Sequence, residues 1–155
     1  MSEIKYPVTR TKNPKPRPKD ENHLGFANYF TDHMFMMDYD EGIGWHDGRV
    51  VPNEPIPIDP ASCVLHYAQM MFEGMKAYLR PDGRLQIFRP DMNAKRMART
   101  ADRMAMPVLP EEILLSGIEA VLKEDADWMP KAEGTSMYIR PFIFGNEISF
   151  SAQAG

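Results

Sequence analysis

Apolar residues crowd the stretch FTDHMFMMDY, Phe30 to Tyr39, with no breaker inside it, and this predicts a strand. Asp40-Glu-Gly-Ile-Gly44 reads as a turn, and Trp45 to Val51 as a second strand with its own Asp47-Gly48 turn signal. Four prolines between Pro52 and Pro60 make a loop. Asp59 followed by Pro60 then signals a helix start, Asp as N-cap and Pro at the first helical position. That helix would carry Val64, Leu65, Ala68, Met71 and Phe72 on one face and end at Gly74. Met75–Arg80 and Arg84–Arg89 are expected to pair as a hairpin around Pro81-Asp82-Gly83. A second helix opens at Pro90-Asp91 and runs to about Ala105, with Pro107 as its stop. The third begins at Pro110-Glu-Glu, where acidic residues meet the positive end of the helix dipole. Its stripe is Ile113, Leu114, Gly117, Ile118, Val121 and Leu122, and Asp125 to Pro130 closes it. Residues 135–145, TSMYIRPFIFG, read as one long strand whose Pro141 requires an edge position or a bulge.

Strands that come as hairpins and helices that come grouped argue for an α+β fold. A mostly antiparallel sheet would carry two to three packed helices. Residues 1–23 stand apart: they hold six Lys or Arg and four prolines, including Pro14-Lys-Pro16-Arg-Pro18. Alternating prolines favour extended conformations and forbid a helix, so this segment is expected to be a polar arm on the surface or a partly disordered tail. A domain is expected over 24–147, with 148–155 starting a linker.

Composition narrows the classes. A chain of 155 residues suits one domain or a large piece of a bigger one, and could bury roughly 70% of its unfolded surface. A net charge of −4 gives no reason to expect nucleic acid or an anionic membrane as partner. The one cysteine, Cys63, permits no internal disulfide and fits a reducing compartment. No stretch approaches the ~18 apolar residues of a membrane span, and the N-terminus lacks the apolar core of a secretory signal, so the cytoplasm is the expected location. The 13 methionines read as filler of an irregular core.

Candidate chemistry is sparse at first sight. There is no Walker loop, no GxGxxG after a strand and no nucleophile elbow. His23, His33, His46 and His66 show no metal-ligand spacing, and no metal site is expected. His33 and His46 read as surface or ordinary packing residues, and Cys63 as a small buried hydrophobe. Arg96 and Arg99 share a helix in NAKRMARTADR; they are either a grip on phosphate or a solvated face. Arg140 lies among apolar residues, two positions after Tyr138, so both side chains lie on one side of a strand. Such a pair serves equally as a carboxylate reader or as part of a structural ion pair.

Three separated segments decide more. LHYAQMMFEGMKAYLR, LQIFRPDMNAKRMART and EGTSMYIRPFIFGNE together resemble the branched-chain amino-acid aminotransferases, pyridoxal-phosphate enzymes of fold type IV. The similarity runs from about Phe26 to about Phe150. FTDHM and GTSMYIRPFIFGNE point to the branched-chain group, whereas FEG-K-A-Y and FRP-x-x-N-x-x-R are shared by wider relatives. The resemblance implies the smaller N-terminal domain of such an enzyme, with pyridoxal 5'-phosphate lying between it and a larger domain. It implies that Arg96 binds the cofactor phosphate. It further implies that Phe26, Phe72, Tyr138 and Arg140 line the substrate pocket. Tyr67 would reach across a homodimer interface into the neighbour's pocket. Phe150 and Ala152 would lie on an interdomain loop that also crosses, although the local SFSA departs from the family's commoner pattern. The implied reaction moves the amino group of leucine, isoleucine or valine to 2-oxoglutarate, as in branched-chain amino-acid biosynthesis.

The family's Schiff-base lysine and the carboxylate facing the pyridine nitrogen belong to the larger domain, which follows the part matched here. The chain is therefore expected to be inactive alone, with Lys76 an outward-facing charge and Lys95 without a catalytic part. Two alternatives stand beside this reading. One is a fragment of another fold type IV enzyme, such as a D-amino-acid aminotransferase or an aminodeoxychorismate lyase. The other is a non-catalytic binding domain.

Overall fold

The β1–β2 hairpin, formed by His33–Asp40 and Gly44–Pro52, pairs antiparallel from His33 opposite Pro52 to Asp40 opposite Gly44. The computed structural model of the protein describes residues 4–149. Register shifts between Met36, opposite Arg49, and Asp38, opposite His46. Met37 alone thus faces the pair Asp47-Gly48, and Asp47 takes a left-handed φ of 53°. The Asp47-Gly48 signal is spent on a β-bulge inside the strand rather than on a turn.

The helix expected from Asp59 to Gly74 is mostly not a helix. Only α1, Cys63–Tyr67, is helical, and Ala68 ends it with a left-handed φ of 52°. The chain then extends as β3 (Met70–Phe72), which pairs with β7 (Phe142–Phe144). A short apolar run is compatible with both periods, and here strand partners were available at Phe142–Phe144. Met71 is consequently buried and Phe72 exposed, where one helix face would have buried both. Gly74 is no helix cap; it joins β3 to β4 (Met75–Leu79).

As expected, β4 turns back through Pro81-Asp82-Gly83 into β5 (Leu85–Ile87). On its other side β4 pairs with β6 (Met137–Ile139). The long strand expected over 135–145 is two strands in two sheets, separated at Arg140-Pro141. Proline has no N–H for the ladder, so the chain changes partners there. Among the described residues, all seven strands pair antiparallel with their neighbours, and three helices accompany them. This is the α+β class expected.

Helices α2 (Pro90–Arg103) and α3 (Glu111–Glu124) pack on each other and enclose the core. Its buried members include Met71, Met75, Met97, Met106 and Met129 beside Ala77, Leu114 and Ile118. Methionine, unbranched and polarizable, fills the gaps between two-residue-period strands and 3.6-period helices. Among the described residues no helix is long and apolar enough to cross a membrane.

The described part of the N-terminal arm is extended up to a single 3-10 turn at Glu21–His23 and is fastened at several points. Val8 forms a parallel bridge with Val50, and the Tyr6 ring packs edge-on against Phe35 at 4.8 Å. The Arg17 guanidinium lies 4.0 Å over the Trp128 ring, and Lys15 N–H donates to the buried Asp32 at 2.7 Å. A further tie runs through His33, only 8% exposed. The Thr11 N–H donates to His33 Nε2 at 3.0 Å, so Nε2 must be the unprotonated nitrogen. Nδ1–H then donates to Asp125 Oδ1 at 2.7 Å, just beyond the end of α3. Replacing His33 by Leu leaves both the Asp125 oxygen and the Thr11 N–H without these partners. Urea unfolding of His33→Leu should show a loss of about 2–3 kcal/mol, and the Thr11 amide should exchange with solvent faster than in the wild type.

Candidate functional site

The junction Glu73-Gly74 organises the residues expected to carry chemistry. Pairing of β3 with β7 continues to Glu73, whose N–H donates to the Pro141 carbonyl at 2.8 Å. Strand alternation then points Phe72 outward and Glu73 inward, and the Glu73 carboxylate is only 5% exposed. A carboxylate in that position needs donors. The next helix supplies them from one face, because Asn93 and Arg96 are three residues apart on α2. Arg96 Nε donates to Glu73 Oε1, and Nη2 donates to Oε2 at 2.8 Å. Asn93 Nδ2 adds a bond to Oε2 at 2.8 Å, and the Gly74 N–H another at 3.2 Å.

Burial alone would raise the carboxyl pKa of Glu73. The bonds from Arg96, Asn93 and Gly74, with the Arg96 charge, outweigh it and hold the group below its ordinary value. The pair with Glu73 also raises Arg96 above its own. Arg96 itself stays 59% exposed, so one edge of its guanidinium is engaged while the other faces water. Beside it lies an open depression of about 290 Å³ lined by Phe88, Arg89, Met92, Asn93, Arg96 and Arg99. Arg89 sits at the start of α2, where a left-handed φ of 48° precedes Pro90, and pairs with Asp91 at 3.2 Å. Arg89 at the helix start and Arg96 and Arg99 on α2 line one concavity, Arg89 paired with Asp91 and Arg96 with Glu73, so guanidinium donors of both helix arginines border the open space that a phosphate reading requires.

On the other side of the junction the aromatic residues gather. Arg140 donates from Nη2 and Nε to the Tyr138 hydroxyl, at 2.9 and 3.2 Å. Its guanidinium carbon also lies 4.2 Å over the Phe72 ring. The Phe26 ring meets Tyr138 edge-on at 5.1 Å. Among the described residues Arg140 thus meets a hydroxyl and ring faces rather than a carboxylate, unlike the structural ion pair that the sequence left open. Gly74 allows this arrangement: a Cβ there would collide with the Tyr138 hydroxyl. Its carbonyl meanwhile accepts from Asn93 at 3.2 Å, so two backbone units join the arginine depression to the aromatic cluster.

The structure therefore brings Phe26, Phe72, Tyr138 and Arg140 together and places Arg96 one junction away, in a depression the aromatics do not line. Tyr67 is the last residue of α1, half-exposed, and Lys76 points outward on β4. Phe150 and Ala152 lie outside the described residues. Glu73 and Asn93 were missed in the sequence. The signal was present: a single carboxylate inside the apolar run MMFEGM must be buried, and a buried carboxylate demands a cation.

No family model matches the chain. It is 51% identical over 140 residues to branched-chain-amino-acid transaminase 1 of Bacillus subtilis, covering 90% of this chain and 39% of that protein. The chain thus spans well under half the length of this relative. Among solved structures it is similar to the Escherichia coli branched-chain amino acid aminotransferase, with a TM-score of 0.58 and 25% identity, over 69% of this chain and 33% of that one. It is also similar to a T.th. branched-chain amino acid aminotransferase complexed with N-(5'-phosphopyridoxyl)-L-glutamate. There the TM-score is 0.52 at 31% identity, over 63% of this chain and 31% of that one.

The lowered pKa of Glu73 has a definite sign for stability. The native state binds fewer protons at this group than the unfolded chain does, so the clamp contributes above the ordinary Glu range, about pH 4.3. Its contribution fades as pH falls through the lower native value. Glu73→Gln should cost about 1–2 kcal/mol at pH 7, discounted for the solvent around Arg96. Paired urea titrations should show that difference shrinking below about pH 4.

Proposed function

On the premise that this chain is homologous to the branched-chain-amino-acid aminotransferases across 90% of its own length and 39% of its relative's, we propose that it is the N-terminal, cofactor-gripping part of such an enzyme. The whole protein would move the amino group of leucine, isoleucine or valine to 2-oxoglutarate, in amino-acid biosynthesis in the cytoplasm. The observation that carries the reading is the Arg96 guanidinium, fixed along one edge by Glu73 and open along the other, one junction away from the Phe26–Tyr138–Arg140–Phe72 cluster.

The residues present fit pyridoxal 5'-phosphate as the cofactor. Arg96 and Arg99 offer donors and positive charge to its phosphate from an open depression. When bound, that cofactor supplies the electron sink for a carbanion at the amino-acid α-carbon. This chain's own residues orient and select. Phe26, Phe72 and Tyr138 offer apolar wall to an aliphatic side chain, and Arg140 with the Tyr138 hydroxyl offers donors to the γ-carboxylate of glutamate. Tyr67, Phe150 and Ala152 would complete a neighbour's pocket in a homodimer. Phe26, Phe72, Phe88 and Phe142 are each exposed, apolar area of the kind that a further domain covers. The lysine that moves the proton lies, on this reading, in that domain, and the 155-residue chain is inactive by itself.

Four measurements bear on this. Leucine with 2-oxoglutarate should be turned over by the full-length enzyme and not by the 155-residue chain. After incubation with pyridoxal phosphate and borohydride, mass spectrometry of the chain should find no stoichiometric adduct on any lysine; such an adduct contradicts the reading. In the full-length enzyme, Arg96→Ala should raise the cofactor dissociation constant about 10- to 100-fold, through loss of charge-assisted bonds to the phosphate. Arg140→Ala should raise KM for 2-oxoglutarate more than KM for leucine.

A further inference from the structure

Glu73 presents a paradox for an anion site. Its carboxylate, 5% exposed, takes two bonds from the very arginine that should attract phosphate. By charge alone, a carboxylate in that position repels an incoming anion. Removing it should then strengthen phosphate binding.

We infer that Glu73 is a positioning residue: it fixes the Arg96 guanidinium so that Nη1 and the outer N–H of Nη2 are presented to a phosphate group. This rests on the reading of Arg96 as the phosphate-binding residue. The geometry supports it in three ways. Both oxygens of Glu73 are spent on the Nε–Nη2 edge, the bidentate arrangement that fixes the plane as well as the position of a guanidinium. The carboxylate is itself held by Asn93 Nδ2 and the Gly74 N–H, from the helix below and the strand junction beside it, so it cannot swing with its partner. And Arg96 is otherwise a long side chain 59% open to water, which without an anchor would sample many rotamers. A fixed fork loses less freedom when the anion arrives. Arg99 also lines the depression, and Arg89 borders it in its pair with Asp91, so a cation remains beside Arg96 after its own charge is offset by Glu73.

Positioning and plain electrostatics predict opposite signs, and the 155-residue chain itself can be used to separate them. Inorganic phosphate is the probe, titrated at pH 7 into 15N-labelled protein while the arginine Nε–H signals are followed by NMR. In the wild type, a sharp, slowly exchanging Arg96 Nε–H signal is expected, shifting on phosphate addition. Glu73→Gln should keep the circular dichroism of the fold, lose the sharp Nε–H signal and bind phosphate about tenfold more weakly. If Glu73→Gln does not fold, Glu73→Asp keeps the charge but withdraws it by a methylene, and the same loss of signal and of affinity is expected. Phosphate binding that is unchanged or tighter in a folded variant overturns the inference. So does an Arg96 Nε–H signal that is already broad in the wild type. Arg96→Ala tests the underlying reading separately: if phosphate binds it as well as the wild type, Arg96 is not the phosphate residue. The Nε–H signals of wild type and Glu73→Gln still report whether Glu73 orients it.

Discussion

A buried carboxylate cannot stay charged in an apolar interior without donors, and Glu73 meets this demand with groups from distant parts of the chain. Arg96 and Asn93 come from α2, twenty and more residues later, and Gly74 comes from the strand junction itself. An unpaired carboxylate there would cost several kcal/mol, more than any single neutral hydrogen bond in the region could recover. Docking of α2 against β3 and β4 is therefore tied to one ion pair as well as to the methionine-rich core behind it. The same pair decides which edge of Arg96 is free, so a requirement of folding sets the geometry of the exposed guanidinium.

Around that junction, small backbone facts have large positional effects. Pro141 has no N–H to continue a ladder, and the chain changes sheets at Arg140-Pro141. Its carbonyl still accepts from Glu73, which registers the β3–β7 pair against the junction. Gly74 has no Cβ, which leaves room for the Tyr138 hydroxyl and hence for Arg140 above Phe72. The arginine depression and the aromatic cluster are thus joined through two residues of backbone, Glu73 and Gly74. The arm extends the same economy to the far side, where Thr11, His33 and Asp125 join three segments of chain through one imidazole.

Sequence by itself determined the elements whose signals are local. Caps, periodicity and turn chemistry placed α2, α3 and the β4–β5 hairpin close to where they stand. Three separated motifs also carried the likeness to the branched-chain aminotransferases, while Arg96 and Arg99 by themselves left a phosphate grip and a solvated face both open. What those local signals could not decide was anything set by a competition between partners. The run after Asp59 has apolar spacing that fits a helix, yet Met70–Phe72 became a strand because Phe142–Phe144 could pair with it. The Asp47-Gly48 pair could turn or bulge, and the opposing strand made it a bulge. Glu73 could have been any surface acid until α2 folded over it. Only tertiary structure assigned these, because the free energy that selects them resides in contacts between residues far apart in sequence, where no window along the chain can see both sides.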